Sequence, residues 1–183
     1  MKFQAARQLA TALPIACAYL LGSCATTGPA ESAKVLATAN LTDGMGKSVG
    51  MARVEQTGTV MRLVAEVSGL STGDHGIHLH TTGKCEAPAF ASAGGHLNPS
   101  SHQHGSMNPA GPHLGDLPNV AVGADGKGAL SFVLTGSAAE LAASLLDADG
   151  TAVVVHASAD DYKTDPSGNS GGRIACGVLN RPA

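Results

Sequence analysis

The chain has 183 residues, 43% of them hydrophobic, which suits one domain of ordinary size. Its formal net charge is −3, and it has no basic run or aromatic-basic patch, so nucleic acid is excluded as an expected partner. It also has no heptads, internal repeats or long low-complexity tract, which excludes coiled-coil and solenoid architectures.

The first 23 residues have the layout of a secretory signal. Lys2 and Arg7 precede an apolar run from Leu13 to Leu21 that is too short to span a bilayer as a mature helix. The alternative is a buried N-terminal helix. We expect residues 1–23 to be removed and the protein to be exported. Without Lys2 and Arg7, nine of the 11 Lys and Arg residues remain against 14 Asp and Glu.

The segment Leu21–Cys24 resembles the lipobox of bacterial lipoproteins, in which the cysteine is acylated and becomes the first residue. An acyl chain on Cys24 would anchor the protein by about 0.8 kcal/mol per buried CH₂. Because Ala25 is no inner-membrane retention signal, the resemblance implies the outer membrane, on its periplasmic side. The alternative is ordinary cleavage nearby, which releases a soluble periplasmic protein. Residues 24–32 then form a flexible tether, and residues 33–183 form the folded domain.

Alternating apolar and polar residues dominate the rest of the chain and predict half-buried β-strands. In Val60–Val67, for example, Arg62 and Glu66 alternate with apolar side chains. The predicted strands are Ala33–Ala39, Ser48–Gln56, Val60–Val67, Gly76–His80, Asn119–Val122, Ala129–Leu134, Ala152–His156 and Ile174–Leu179. Eight strands without βαβ spacing predict an all-β antiparallel barrel or sandwich. A short helical turn is expected over Ser137–Leu146.

Two long segments, 81–117 and 157–172, are rich in Gly, Pro, Ser and Asn and resist assignment to strands. Loops of this length in a compact domain are usually functional. The predicted domain contains Cys85 and Cys176, and two cysteines in an exported domain predict one disulfide. Such a bond would close a long loop and stabilise the fold by about 4–5 kcal/mol. Thiolate ligation of a metal is the alternative.

Histidines are concentrated around these two loops. His78 and His80 are two apart on a predicted strand, so their rings point from one face. Imidazole suits both copper and zinc, and a carboxylate commonly completes a mostly imidazole zinc site. Any single histidine is equally well explained as a solvated loop residue. The candidate ligands, which together predict a metal site, are His78, His80, His96, His104, His113, Asp116 and His156.

Several segments around these residues follow the order of one known family. They read HGIHLH, AGGHLNP, the pair His104-Gly105, GPHLGDLPN, VVVHASADD and GGRIACGV. With them the chain resembles a bacterial copper–zinc superoxide dismutase over nearly all of residues 33–178. The resemblance implies an eight-stranded antiparallel Greek-key β-barrel with two long functional loops. It also implies an enzyme that dismutates the superoxide anion, with copper and zinc as cofactors and a copper donor as a further partner.

The resemblance assigns the candidate ligands to two metals. The implied copper ligands are His78, His80, His96 and His156. The implied zinc ligands are His96, His104, His113 and Asp116. His96 would therefore be shared as an imidazolate, whose two nitrogens point in opposite directions and each carry a lone pair. The expected chemistry is that copper cycles between two oxidation states, while zinc, which has no redox chemistry, orders the loop.

Other residues also acquire roles from the resemblance. Asp160 would hydrogen-bond to a ligand of each metal, His78 and His104, and so fix their ring orientation. Arg173 would lie beside the open copper position and, with His96, act in catalysis. The pair Cys85 and Cys176 would be the disulfide of the family.

The remaining histidines and one lysine receive weaker interpretations. His75 matches a structural position that hydrogen-bonds to backbone near the site, and His102 is interpreted as a solvated loop histidine. Lys163 is a candidate for attracting the substrate, with a solvated lysine as the alternative. Thr81 departs from the glutamate common in the family, and this position is not among the implied ligands.

Two further functions compete with dismutation. One is a non-catalytic copper- and zinc-binding protein of the cell envelope with the same fold, and the other is a structural β-domain stabilised by zinc. The complete copper set together with Arg173 favours catalysis. A monomer and a homodimer both stay open, and membrane contact is expected through the lipid anchor at Cys24 alone.

Overall fold

Nine antiparallel strands and one short helix form the part of the chain that the computed structural model describes, residues 31–182. The strands are β1 Lys34–Asp43, β2 Ser48–Thr57, β3 Val60–Ser68, β4 Gly73–His75, β5 Ile77–His80, β6 Val120–Val122, β7 Lys127–Val133, β8 Ala152–His156 and β9 Arg173–Val178. The helix α1 is Ala138–Leu145, and a 3-10 turn covers Ala91–Ala93. The predicted signal and Cys24 lie outside the described residues. Within residues 31–182, no helix has the length and apolar character needed to cross a membrane.

The strands form one sheet in the order β4-β6-β7-β3-β2-β1-β9-β8-β5. β3 pairs with β7 rather than with β4, so the chain passes two strands to reach the sheet edge, as a Greek-key path requires. β4 and β5 follow each other in sequence yet occupy opposite edges of the sheet. Their covalent link therefore nearly closes the sheet into the expected antiparallel barrel.

The predicted number of eight strands is wrong by one, and the reason lies at Gly76. The predicted strand Gly76–His80 is preceded by β4, which pairs with β6, whereas β5 pairs with β8. Between them, the Gly76 N–H donates to the Ser158 carbonyl at 2.8 Å, and its own carbonyl accepts from the His156 N–H at 2.8 Å. The chain thus changes its hydrogen-bonding partner within one continuous extended segment.

The barrel core consists of the inward-facing side chains of the strands. On β5, Ile77 and Leu79 belong to this core, and strand alternation places His78 and His80 on the other face. His78 and His80 are buried as well, because the first long loop covers the outer face of the strand. The helical turn predicted over Ser137–Leu146 is confirmed as α1, which packs Leu141 and Leu145 into the core.

A second, smaller apolar cluster attaches the first long loop to the outside of the barrel. It comprises Phe90, Ala93, Ala152, Val154 and Cys176, with Cys85 packed against it. The predicted disulfide between Cys85 and Cys176 is confirmed and lies in this cluster. Residues 85–93 are therefore held to β8 and β9 by both a covalent bond and apolar packing.

Candidate metal centre

Backbone hydrogen bonds bring two segments of the first long loop to the edge of β5. The Leu79 N–H donates to the Gly115 carbonyl at 2.9 Å, and the Leu97 N–H donates to the Leu79 carbonyl at 2.8 Å. The Gly115 N–H completes the contact by donating to the Leu97 carbonyl at 2.8 Å. His96 and Asp116, the neighbours of these residues, therefore lie opposite His80 and His78, respectively.

This close approach requires a glycine at position 115. A Cβ atom there would overlap the Leu79 carbonyl oxygen and crowd the Leu97 nitrogen at 2.9 Å. Gly168 has a similar task in the second long loop, where its φ is +64° and a Cβ would overlap the Asp160 carboxylate. Glycines thus permit the backbone to approach the site from both loops.

Four buried histidines form the first group of the site, His78, His80, His96 and His156. One nitrogen of each ring lies within 4.8 Å of the corresponding nitrogen of the others. In the described part of the chain, His78 Nδ1 and the Nε2 atoms of the other three have no hydrogen-bond partner. Buried polar atoms are normally paired, so four converging unpaired lone pairs fit a bound cation.

The opposite nitrogen of each ring in this group is held by a fixed acceptor. His80 Nδ1 lies 3.0 Å from the Gly94 carbonyl, and His156 Nδ1 lies 3.2 Å from the Gly171 carbonyl. His78 Nε2 lies 2.7 Å from a carboxylate oxygen of Asp160. Because these nitrogens donate, the other nitrogen of each ring carries a lone pair and faces its neighbours.

The second group gathers around Asp116. Its Oδ1 atom lies 2.8 Å from His96 Nδ1, 3.0 Å from His104 Nδ1 and 3.2 Å from His113 Nδ1. Its Oδ2 atom accepts from the backbone N–H groups of Gly105 and His113 at 2.8 and 3.0 Å. Three imidazole nitrogens and one oriented carboxylate form the donor set that tetrahedral zinc prefers. His96 belongs to both groups.

Asp160 links the two groups from behind. One of its oxygens lies 2.7 Å from His78 Nε2, and the other lies 3.0 Å from His104 Nε2. The Asn119 side chain holds this residue in place. It accepts from the Asp160 N–H at 2.8 Å and donates to the Asp160 carbonyl at 3.0 Å.

The two carboxylates make His104 strongly basic. Burial opposes a charge on the ring, but hydrogen bonds to Asp116 and Asp160 outweigh it and raise the pKa of His104 to about 9. Burial also favours the neutral form of both acids, yet their hydrogen bonds with histidines hold the pKa of each carboxyl well below its ordinary value. Without a metal, the ring of His104 is therefore an imidazolium between two carboxylates.

The first group has the opposite electrostatic character. Burial lowers the pKa of His80 to about 2, that of His156 to about 3 and that of His96 to about 4. Neighbouring histidines lower these pKa values further. The three rings are therefore neutral at physiological pH, which is the form that can ligate a metal.

Arg173 lies at the mouth of the first group. Its guanidinium donates to the carbonyls of Phe90 and Gly94, each at 2.6 Å, and burial lowers its pKa. It lines a cavity of about 460 Å³ together with His80 and His156. A positive charge therefore faces the same space as the unpaired histidine nitrogens.

Three residues that were not assigned as metal ligands, His75, His102 and Lys163, lie outside the two groups. His75 Nδ1 lies 2.7 Å from the His156 carbonyl, and its Nε2 lies 3.2 Å from the Ser71 hydroxyl, which matches the expected structural role. His102 is exposed, as expected, although its Nδ1 lies 3.0 Å from the Pro112 carbonyl and its ring lines the cavity. Lys163 is exposed and is not among the described residues that line the cavity.

Sequence reasoning assigned no role to three residues that position the site. Asn119 lies in the noted segment GPHLGDLPN, but nothing in its type indicates that it clamps Asp160. Gly115, two residues after His113, could have been suspected from the glycine alone. Asp165 lies in the second long loop and carried no signal, yet it accepts from the His104 backbone N–H at 2.6 Å.

Comparison with known proteins gives consistent matches. The family model described as copper/zinc superoxide dismutase (SODC) matches residues 48–179. The chain is 40% identical over 146 residues to one of the Cu-Zn superoxide dismutases of Aquifex aeolicus, covering 77% of this chain and 85% of that one. It is 41% identical over 149 residues to a Cu-Zn superoxide dismutase of Caulobacter vibrioides, covering 78% and 84%, respectively.

A solved structure is similar over the same region. The crystal structure of a SOD-like protein from Bacillus subtilis matches with a TM-score of 0.74 at 39% identity. The match covers 80% of this chain and 100% of that chain. The range 48–179 includes both histidine groups, Asp160 and Arg173.

Proposed function

The chain belongs to the copper/zinc superoxide dismutase family, and we propose that its two histidine groups bind the two metals of this enzyme. The reaction converts two superoxide anions and two protons into dioxygen and hydrogen peroxide. The first group, His78, His80, His96 and His156, holds copper, and the second, His96, His104, His113 and Asp116, holds zinc. The convergence of four buried, unpaired histidine nitrogens in the first group is the observation that carries this assignment.

Bound copper supplies the one-electron redox chemistry that the two half-reactions need. The side chains supply position and protons. His80 and His156 have their Nδ1–H groups fixed on backbone carbonyls, so each presents Nε2 in one orientation. Asp160 fixes His78 and His104 relative to each other, which couples the geometry of the two groups.

His96 is the proposed proton carrier. Its Nδ1 lies toward the zinc group, and its Nε2 belongs to the copper group and lies beside the cavity. When Nε2 is free of metal it can hold a proton at the wall of the cavity. A proton at this atom is readily given to the second superoxide as it is reduced.

Arg173 orients and attracts the anion. Both of its terminal nitrogens are anchored on backbone carbonyls, so the guanidinium stays at the cavity, and no carboxylate within residues 31–182 forms an ion pair with it. In Arg173→Ala we expect kcat/KM to fall about tenfold at low ionic strength and to depend less on salt, because local attraction is lost. Rate measurements at several salt concentrations check this. Equal salt slopes in variant and wild type would contradict the role.

The same measurement on Arg181→Ala serves as the matched control. Arg181 is exposed near the end of the described chain and is not among the residues that line the cavity. Arg181→Ala removes the same charge from the molecule, but far from the cavity, so the salt dependence of its kcat/KM should stay that of the wild type.

Metal content followed by activity tests the proposal as a whole. The purified protein should bind one copper and one zinc per chain and dismutate superoxide. Its metal-free form should be inactive, and dismutation activity should recover on addition of copper. A protein that binds both metals but shows no dismutation would instead be a metal-binding envelope protein.

The ligand assignment is tested by removing one ring. His78→Gln should lower the copper content, measured by elemental analysis. His102→Gln, which removes an exposed histidine outside both groups, should leave the copper content unchanged. If His78→Gln retains full copper, the assignment of this group is wrong.

Export and anchoring belong to the same proposal. Residues 1–23 act as a lipoprotein signal, residues 24–32 as a tether, and an acylated Cys24 holds the domain 33–183 at the periplasmic face of the outer membrane. The apolar run and the lipobox segment support this, and the disulfide between Cys85 and Cys176 suits an oxidising compartment. The mass of the mature N-terminus tests it. Cys24→Ser should release an unlipidated protein, and an unmodified mass for the wild type would overturn the anchor.

Two partners remain in the proposal. A copper donor that delivers the metal in the envelope is the first candidate partner. A second copy of the chain is the other candidate partner, and light scattering of the full domain tests for a homodimer. A monomeric mass would remove the homodimer from the proposal without affecting the metal sites.

A further inference from the structure

Asp165 of the second long loop has an unexplained position at the site. Its Oδ1 accepts from the His104 backbone N–H at 2.6 Å, so it fastens the second loop to the first. The same oxygen lies 4.0 Å from His113 Nε2, on the side of that ring away from Asp116. One carboxylate therefore contacts two residues of the proposed zinc group without belonging to it.

This contact complements the one that Asp160 makes. Asp160 lies behind His104 Nε2, and Asp165 lies in front of the group, with its side chain 51% exposed toward the cavity. A carboxylate near the outer nitrogen of a ligating imidazole increases the basicity of that ring and fixes its orientation. Asp165 is thus placed to hold His104 by a hydrogen bond from its backbone N–H, while at 4.0 Å it acts on the His113 ring through its charge rather than through a hydrogen bond.

The position of Asp165 also affects the approach of substrate. Among the described residues that line the 460 Å³ cavity, Arg173 is the one Lys or Arg and Asp165 is the one Asp or Glu. The substrate is an anion, so a carboxylate in this cavity repels it and partly offsets the attraction of Arg173.

We propose that Asp165 is a positioning residue that retains zinc by fastening the His104 backbone and by placing a negative charge beside the His113 ring, and that this charge slows the capture of superoxide. The inference rests on the proposed function, because it assumes zinc in the second group and an anionic substrate. The structure thus assigns opposite effects on metal retention and on substrate capture to one carboxylate.

Two substitutions separate the effects. Asp165→Asn keeps an oxygen that can accept from the His104 N–H but removes the charge. Asp165→Ala removes both. Asp149→Asn is the matched control, because Asp149 is exposed between α1 and β8 and is not among the residues lining the cavity.

Zinc retention is measured on the copper-free, zinc-loaded protein by competition with a chelator of known affinity. Asp165→Ala should bind zinc about 10- to 100-fold more weakly, in line with other residues that hold metal ligands. Asp165→Asn should lose less of the zinc affinity, and Asp149→Asn should bind zinc as tightly as the wild type. Zinc affinity of Asp165→Ala within threefold of the wild type would overturn the positioning role.

Substrate capture is measured as kcat/KM of the fully metal-loaded protein across ionic strengths. Asp165→Asn should be about twofold faster than wild type at low salt, the effect of one unit charge about 10 Å from the path of an anion in water. The difference should vanish at high salt. An equal or lower kcat/KM at low salt would overturn the charge effect. The zinc competition needs no dismutation, so an inactive wild type would count against the proposed function and leave the positioning test intact.

Discussion

His96 joins the two groups because its ring nitrogens face in opposite directions. Nδ1 lies 2.8 Å from Asp116, while Nε2 is unpaired among the described residues and points into the first group. Burial and neighbouring rings keep it neutral, and the hydrogen bond to Asp116 selects the Nδ1–H tautomer in the metal-free protein. A single side chain thus connects the first group, whose rings are neutral, with the second group, in which His104 carries a proton.

The protonated state of His104 leads to a prediction for zinc binding. At pH 7.5 the ring is charged, because its pKa is about 9. A zinc ligand must be neutral, so zinc binding to copper-free protein should release about one proton. Calorimetry in two buffers with different ionisation enthalpies measures this number. Above pH 9 the release should disappear, since the ring has already lost the proton.

Asp160→Asn provides the control for this prediction. It removes one of the two carboxylates that raise the pKa of His104, so fewer protons should be released at pH 7.5. Zinc binding by the wild type without any proton release at that pH would contradict the imidazolium assignment.

At the scale of elements, β5 is the strand on which the site is built. Its alternation places two apolar side chains in the barrel core and two histidines under the first long loop. Hydrogen bonds of Leu79 with Gly115 and Leu97 then fix the loop on the strand. Ligands from a strand and from a loop are thereby brought together by backbone contacts, and Leu97 and Leu117 of the loop also pack in the barrel core.

Gly115→Ala should therefore disturb both groups at once. The new Cβ has no space beside the Leu79 carbonyl, and we expect a loss of about 1–3 kcal/mol in the free energy of unfolding, as for other overpacked sites. Copper and zinc content should both fall. Denaturant unfolding and elemental analysis measure the two effects.

Gly172→Ala is the matched control for Gly115→Ala. A Cβ on Gly172 meets no described atom within 4 Å, and no positive φ opposes the substitution. Its stability should stay close to that of the wild type. Equal stabilities of the two variants would show that the close approach at Gly115 is unimportant.

At the scale of the molecule, the disulfide joins the barrel to the loop that shapes the cavity. Cys85 and Cys176 are 91 residues apart in sequence, and the loop between them supplies the carbonyls of Phe90 and Gly94. These carbonyls orient Arg173, and Gly94 also holds His80. Fold stability and site geometry therefore depend on the same covalent bond.

Replacing both cysteines by alanine should lower the free energy of unfolding by about 4–5 kcal/mol, because a long loop is no longer closed in the unfolded chain. Denaturant unfolding of metal-free wild type and variant measures the difference. The wild type under reducing conditions should match the variant. A double variant as stable as the oxidised wild type would contradict this prediction.

The buried histidines predict how the metal-free protein responds to acid. The folded state keeps His80, His96 and His156 neutral down to pKa values of about 2, 4 and 3, while the unfolded chain takes up protons below its ordinary value of 6.5. The free energy of unfolding of the metal-free protein is therefore highest above about pH 6.5 and falls as the pH decreases. Between pH 6.5 and 5 the loss should be about 5 kcal/mol, roughly 1.6 kcal/mol for each of the three rings.

Thermal unfolding of metal-free protein at pH 7, 6 and 5 measures this loss. The lowered carboxyl pKa values contribute mainly at still lower pH, and His104 stays charged throughout this range. His156→Gln removes one of the three titrating rings and should reduce the pH dependence. A wild-type melting temperature that is constant from pH 7 to 5 would contradict the prediction.

Much of the fold followed from local patterns in the chain. Period-two alternation located the strand segments, and the helical turn appeared as α1. The number of strands did not follow, because the split at Gly76 depends on which neighbours β4 and β5 meet. Six of the seven candidate ligands were visible because histidine is rare and has specific chemistry, whereas Asn119 and Asp165 are ordinary polar residues of loops.

The sequence by itself determined the residue types, their alternation on strands and the resemblance that names a metal chemistry, since these are properties of the chain read in order. Tertiary structure alone decided which ring nitrogens face each other, that Asn119 holds Asp160, and that Asp165 shares a cavity with Arg173. The physical reason is that these contacts join residues far apart in sequence. Their geometry comes into existence only when the barrel closes and the loops pack on it.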